Sequence, residues 1–248
     1  MTEFFKGMSY LILGIRHLFT NGLKRFVLLP MIFNFLLFIG LFYLVYHYAF
    51  PYSHYYISQL PSWLHFLSGL FLVIFAISFF LLFLSMFTVL FNLVAAPFNG
   101  LLAEKAQILL YHSKIPSLSL TEITIRTIKR QAQFLGYFLP RFIGMILLFF
   151  VPFIHPFYPF LWFLFNAWIL SVQYQDFVMD NNLINFQEMR LKMKDKRTLS
   201  LGFGSLINLV SFIPFLNLIT LPAAVIGGVI LFCEEHKNLL KLTQKRLN

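Results

Sequence analysis

Charged and apolar positions segregate along this chain over lengths far greater than one helical turn. From Phe26 to Ala103, 78 residues pass without an Asp, Glu, Lys or Arg. Two shorter charge-free runs follow, Phe142–Gln175 with 34 residues and Thr198–Cys233 with 36 residues. Ahead of the first run, Phe4, Phe5, Met8, Leu11, Ile12, Ile15, Leu18 and Phe19 recur at helical spacing, while Glu3, Lys6, Ser9 and Arg16 lie off that stripe. The pattern predicts an amphipathic helix within residues 1–21. Such a helix suits either the membrane interface or a packing role against the rest of the protein.

The run lengths predict topology. A bilayer-spanning helix needs roughly 20 apolar residues. The first run therefore holds a span over 22–50 and a long second span over 63–112 with a cytoplasmic extension. Between them lies PYSHYYISQLPS, a Tyr-rich, Pro-bounded and uncharged loop suited to the outer interface. The later runs are too short for two full spans and a turn, which need about 40 residues. Cations nevertheless flank both ends of each. This predicts helical hairpins over 136–175 and 198–233, each entering and leaving on one side, with ordinary spans as the rival arrangement. Pro152, Pro156 and Pro159 punctuate the first hairpin; Pro214 and Pro222 punctuate the second. Backbone turning at membrane depth must be satisfied by protein or water. Glycines at Gly202 and Gly204 suggest flexibility where the second hairpin begins. Ala223-Ala224 and Gly227-Gly228 permit close helix packing within a chain or between copies.

Composition agrees. With 59% hydrophobic and 11% charged residues, the chain reads as an all-α polytopic membrane protein, one integral domain over 1–248. The four charged segments around the runs are all net positive. They and both termini are therefore predicted cytoplasmic, and the net charge of +10 marks topology rather than affinity for nucleic acid. The single cysteine, Cys233, excludes an intramolecular disulfide. The N-terminus lacks the pattern of a cleavable signal peptide. Phosphate-loop, HExxH and Cys/His zinc spacings are absent, as is a nucleophile–base constellation, so no enzyme activity, cofactor or metal is expected. The runs contain no Asp, Glu, Lys or Arg, and their histidines, His47, His54, His65 and His155, suit interfacial positions better than a proton relay; this favours a passive, channel-like route for any solute carried.

Two places could hold an anion. Asn21-Gly22 suits a tight turn before the first span. The opening amides of the helix that follows have no intrahelical acceptors, and Lys24 and Arg25 add charge beside them. Taken alone, a Lys-Arg pair here more often marks topology. The second place is the set of polar residues flanking the hairpins: Glu104, Arg126, Arg130, Arg141, Glu188 and Arg190. Arg126 and Arg130 share a helix face, and Arg141 follows Pro140 at the mouth of the first hairpin. The competing reading is a set of solvated faces and snorkelling anchors.

A series of specific motifs runs along the chain. NGLKRFVLLPMIFN comes first, then AAPFNGLLAEK at 95–105, FLPRFI at 138–143 and LWFLFNAWILSVQYQDF at 161–177. FQEMR at 186–190, Phe203-Gly204, IPFLNL at 213–218 and LPAAVIGG at 221–228 follow. In kind and order these motifs resemble the CysZ family of bacterial sulfate permeases. The resemblance implies two long transmembrane helices, two pairs of hemipenetrating (re-entrant) helices and a homo-oligomer in the inner membrane. It also implies uptake of sulfate, or of sulfite, for cysteine biosynthesis. The sulfate site it implies is Gly22, Leu23, Lys24 and Arg25. The family usually has Arg where this chain has Lys24, and lysine lacks the planar fork that grips two oxygens. The alternative function is a non-transporting scaffold that shapes the bilayer or recruits a partner.

Overall fold

A computed structural model describes residues 2–44, 46–47, 51, 55, 59, 68–116, 119–213 and 216–240. Every regular element among them is helical: α1 (Glu3–His17), α2 (Lys24–Leu44), α3 (Ser68–Tyr111), α4 (Leu120–Phe149), a 3-10 turn (Pro152–Phe157), α5 (Tyr158–Asn181), α6 (Phe186–Asp195), α7 (Arg197–Ser211) and α8 (Leu216–Glu235). Most of the Tyr-rich loop at 51–62, the start of the 63–112 span and Pro214 lie outside the described residues.

Contacts divide the chain into two units, one of Met1–Val27 with Pro97–Asn248 and one of Leu28–Ala96. The smaller unit holds most of α2 and the first part of α3. Many of its described apolar side chains are exposed, Phe35 and Phe42 among them. The larger unit carries every candidate polar residue.

The larger unit is organised by α1, α5, α7 and α8. Helix α1 packs on α7 and α8, and α5 packs on the same pair. Tyr10 and Leu11 of α1, Phe203 and Ile207 of α7, and Phe232 of α8 are buried. Small residues set the approach. A Cβ on Gly14 would come within 2.0 Å of the Ala223 carbonyl oxygen, and one on Gly202 within 2.0 Å of that of Phe4. Backbone meets backbone at these crossings, so a side chain there would push the helices apart. This corrects the reading of Gly202 and Gly204. Both lie inside the continuous helix α7, and Gly204 faces the Ala167 carbonyl of α5. They allow contact rather than flexibility. The amphipathic stripe of α1 is also divided: Leu11 and Leu18 are buried, whereas Phe5, Ile12, Ile15 and Phe19 are exposed.

An ionic latch fastens α1. Glu235, at the end of α8, accepts hydrogen bonds from Lys6, Tyr10 and Lys196. Glu234 accepts from Tyr10 at 3.2 Å and from Tyr111, the last residue of α3, at 3.3 Å. The latch and the glycine contacts fix the helix that leads into residues 18–25.

The first hairpin is built from α4 and α5. A capping box starts α4: the Ser119 hydroxyl accepts from the Glu122 amide at 3.3 Å, and the Glu122 carboxylate accepts from the Ser119 amide at 2.8 Å. Both orphan donors are thereby satisfied. Phe134, Phe138, Phe142 and Phe165 stack between the helices. Tyr158 stacks on Trp162 and donates to the Met145 carbonyl at 3.3 Å. The tip is apolar, and Phe153 is 91% exposed. Two helical stretches, Ile125–Phe149 and Pro152–Asn181, are long and apolar enough to cross a membrane. The first reaches that length only by extending into the charged flank ahead of Phe142, whereas most of the second lies inside the charge-free run.

Candidate functional site

The loop between α1 and α2 is a tight double turn. The Thr20 amide donates to the His17 carbonyl at 3.1 Å, and the Leu23 amide donates to the Thr20 carbonyl at 3.0 Å. Gly22 sits between them at φ +97°, the left-handed region open to glycine at little cost. A Cβ there would also stand 3.0 Å from Leu109. Leu23 is fully buried and anchors the loop, while Asn21, Gly22, Lys24 and Arg25 are exposed. The Val27 amide bonds the Leu23 carbonyl at 3.2 Å. Among the described residues, the amides of Gly22, Lys24 and Arg25 have no acceptor. Three free N–H groups at a helix start, with two cations beside them, suit an anion. The Arg25 guanidinium rests over the Phe26 ring at 5.1 Å.

The six flanking residues separate into different environments. Glu104 pairs with its neighbour Lys105 at 3.5 Å. Glu188 belongs to the cap of α6, where its amide donates to the Asn185 side chain at 2.7 Å. Arg126 and Arg130 face α5. Arg126 grips Asp180 at 2.9 Å, and Arg130 binds Asp176 at 2.7 Å and the Ile184 carbonyl at 3.0 Å. Arg130 also lies 3.7 Å from Asp180. Two carboxylates thus neutralise two guanidiniums, and this network holds α4 to the end of α5. Its cations open onto a cavity of about 440 Å³ that Glu122 and Lys129 also line.

Arg141 and Arg190 form the remaining group. Both approach Tyr137, their guanidinium carbons 3.6 and 4.9 Å from its ring centre. Tyr137 is itself fixed: its hydroxyl accepts from Trp168 at 2.8 Å, and its ring meets Phe186 edge-on. Arg141 donates to the Tyr137 carbonyl at 2.6 Å. A second cavity, about 410 Å³, opens beside this cluster.

Sequence reasoning missed three supports of these groups. Asp180 was unassigned because one acid in a charged flank has no visible partner, although its spacing from Asp176 puts both on one helix face. Tyr137 carries no sequence signal that sets it apart from the aromatics around it. The reciprocal amide pair Gln107–Asn182, at 3.2 and 2.8 Å, joins α3 to the C-cap of α5, two residues 75 apart in sequence. No local signal announces it.

A family model described as Sulfate transporter CysZ/Etoposide-induced protein 2.4 matches residues 10–222. This chain belongs to that family. Similar proteins include the sulfate transporter CysZ of Pectobacterium atrosepticum, 37% identical over 244 residues, which cover 97% of this chain and 89% of that one. That of Pseudomonas fluorescens (strain Pf0-1) is 38% identical over 234 residues, 93% of this chain and 94% of its own. That of Vibrio atlanticus is 38% identical over 236 residues, 94% of each. Together with the two membrane-capable helices, membership of the CysZ family makes this an all-α membrane protein.

Proposed function

We propose that this protein is a sulfate permease of the bacterial inner membrane. It passes sulfate into the cytoplasm down its gradient, without ATP, for assimilation into cysteine. The observation that carries the reading is the loop at Gly22–Arg25. Left-handed Gly22 turns the chain, buried Leu23 pins it, and three unpaired amides lie beside Lys24 and Arg25. That it stands in a chain whose relatives are named sulfate transporters supports sulfate as the anion.

The topology follows from charge. Both termini are cytoplasmic, and the two hairpins enter the bilayer without crossing it. Exposed Phe5, Ile12 and Ile15 on α1, with Phe19 just beyond it, suit the membrane interface, and exposed Phe153 and Phe212 near the hairpin turns suit lipid. The flanking polar residues line the anion's path, with Arg126 and Arg130 as a neutralised wall and Arg141 and Arg190 as its uncompensated cations. The open apolar faces of α2 support association of copies into a homo-oligomer.

Equilibrium binding of radiolabelled sulfate to the purified protein tests the loop. Arg25→Ala should weaken binding about tenfold, the scale of one lost charge-assisted contact, and Lys24→Ala less. Equal binding by wild type and Arg25→Ala would remove the loop as the site. A scaffold would show no saturable sulfate binding at all.

A further inference from the structure

Most cations of the larger unit whose side chains are partly or wholly buried have a carboxylate within reach. Lys196 has Glu235, Arg126 has Asp180, and Arg130 has Asp176 and Asp180. Partly buried Arg190 differs, and so does the exposed Arg141 beside it. Among the described residues neither meets a carboxylate, and Arg190 makes no hydrogen bond. Its Nε is buried without a partner. A guanidinium N–H lies in the plane of its fork, so a ring stacked against that plane cannot accept it. Tyr137 and Phe186, 4.9 and 5.5 Å from the Arg190 carbon, orient the fork but leave its donors unmet. A buried charged donor without an acceptor is costly, and two neighbouring uncompensated cations add repulsion.

The lining explains what would satisfy them. Gln133, Asn185 and Gln187 supply neutral polar groups, and among the described residues no acid lines the space. The adjoining cavity, lined by Glu122 and Asp180, is the contrast. We propose that the cavity between α4 and α6 is a second oxyanion site. Arg141 and Arg190 there grip a tetrahedral anionic group, either a free sulfate ion or the phosphate of an anionic lipid headgroup. Each guanidinium can offer two parallel donors to two oxygens, and the tetrahedron has oxygens for both. The volume of about 410 Å³ exceeds one bare ion, so the anion keeps water or brings a substituent. The proposal rests on the permease reading only for the free ion's identity; the site itself is independent of the loop at Gly22–Arg25.

The test uses the full-length protein in detergent. Sulfate stoichiometry is measured by equilibrium dialysis for wild type, Arg25→Ala, Arg190→Gln and the double variant. With free sulfate as ligand, wild type binds two ions per chain, each single variant one, and the double variant none. Arg190→Gln should melt no lower than wild type without sulfate, since relief of the unmet buried donor and of cation repulsion offsets the two lost ring contacts; a merely structural arginine would lower that melting point. Should Arg190→Gln fail to fold, Arg190→Lys keeps the charge, removes Nε and should bind at this site about tenfold more weakly. If Arg190→Gln binds sulfate as wild type does, native mass spectrometry with phosphatidylglycerol and phosphatidylcholine gives the lipid arm. Phosphatidylglycerol held by wild type and lost in Arg190→Gln assigns the site to a lipid phosphate. Wild-type behaviour of Arg190→Gln in both arms overturns the proposal. Loss of the second site with an unaffected Arg25→Ala overturns the loop and leaves the cavity standing.

Discussion

At the scale of single residues, three buried polar groups decide how this protein responds to substitution and pH. Arg130 is the first. Its partner Asp176 is only 7% exposed, so Arg130→Gln strands a buried carboxylate. Breaking one side of such a pair costs about 3–5 kcal/mol, and a melt of the purified variant should show it. Replacing both partners by apolar residues should recover much of the loss. The second is His236, buried against Phe232. Burial, then the nearby Lys196, holds its imidazole at about 4, against an ordinary 6.5. Between those values the unfolded chain binds a proton that the folded chain refuses. Stability is therefore full above pH 6.5 and declines as pH falls toward 4, by up to about 3 kcal/mol. Melts between pH 7.5 and 4.5 should show a shallower decline in His236→Gln. The third is Glu235. Burial alone would raise its carboxyl, but hydrogen bonds from Lys196, Lys6 and Tyr10 outweigh that and hold it at about 2. Its folded value is depressed, so its stabilisation is present above the ordinary carboxylate range and lost only as pH falls toward 2. The latch should thus survive the acid range in which His236 begins to charge.

At the scale of elements, the contact between α1 and the second hairpin is the critical joint. Gly14 faces the backbone of α8, a surface that cannot yield as a side-chain tip can. Gly14→Val should destabilise the protein by about 1–3 kcal/mol, the usual cost of overpacking. Because α1 runs straight into the Gly22 turn, the same variant should weaken sulfate binding although residue 14 touches no anion. The elements themselves were largely legible in the amino-acid sequence. The charge-free runs announced apolar helices where α2, α3, α5, α7 and α8 stand, and Asn21-Gly22 announced the turn, but α4 begins at Leu120, well ahead of the predicted start at 136. What the sequence concealed was tertiary. A pattern of apolar residues at helical spacing does not say which of them meet protein and which meet lipid, so the stripe of α1 read as one face. Gly202 and Gly204 read as flexible because sequence cannot show a backbone arriving from another helix. Arg126 and Arg190 looked alike as cations in charged flanks; only the fold shows that Asp180 neutralises one while the other is left with aromatic rings.

At the scale of the whole molecule, the candidate anion-binding groups all fall in one unit. The loop at Gly22–Arg25 and the cations around Tyr137 lie in the larger unit, which spans Met1–Val27 and Pro97–Asn248. The charge-free runs supply neither an intramembrane acid for proton coupling nor a cation to trap an anion at depth. Such an arrangement suits selection at a mouth followed by passive conduction, as in other anion pores. Radiolabelled sulfate uptake into liposomes containing the purified protein tests this most directly, with wild type beside Arg25→Ala. The account predicts flux that follows the sulfate gradient without ATP or a proton gradient, resists excess chloride and falls sharply in Arg25→Ala. Flux no greater than in empty liposomes, or flux that strictly requires ATP or a proton gradient, would contradict it.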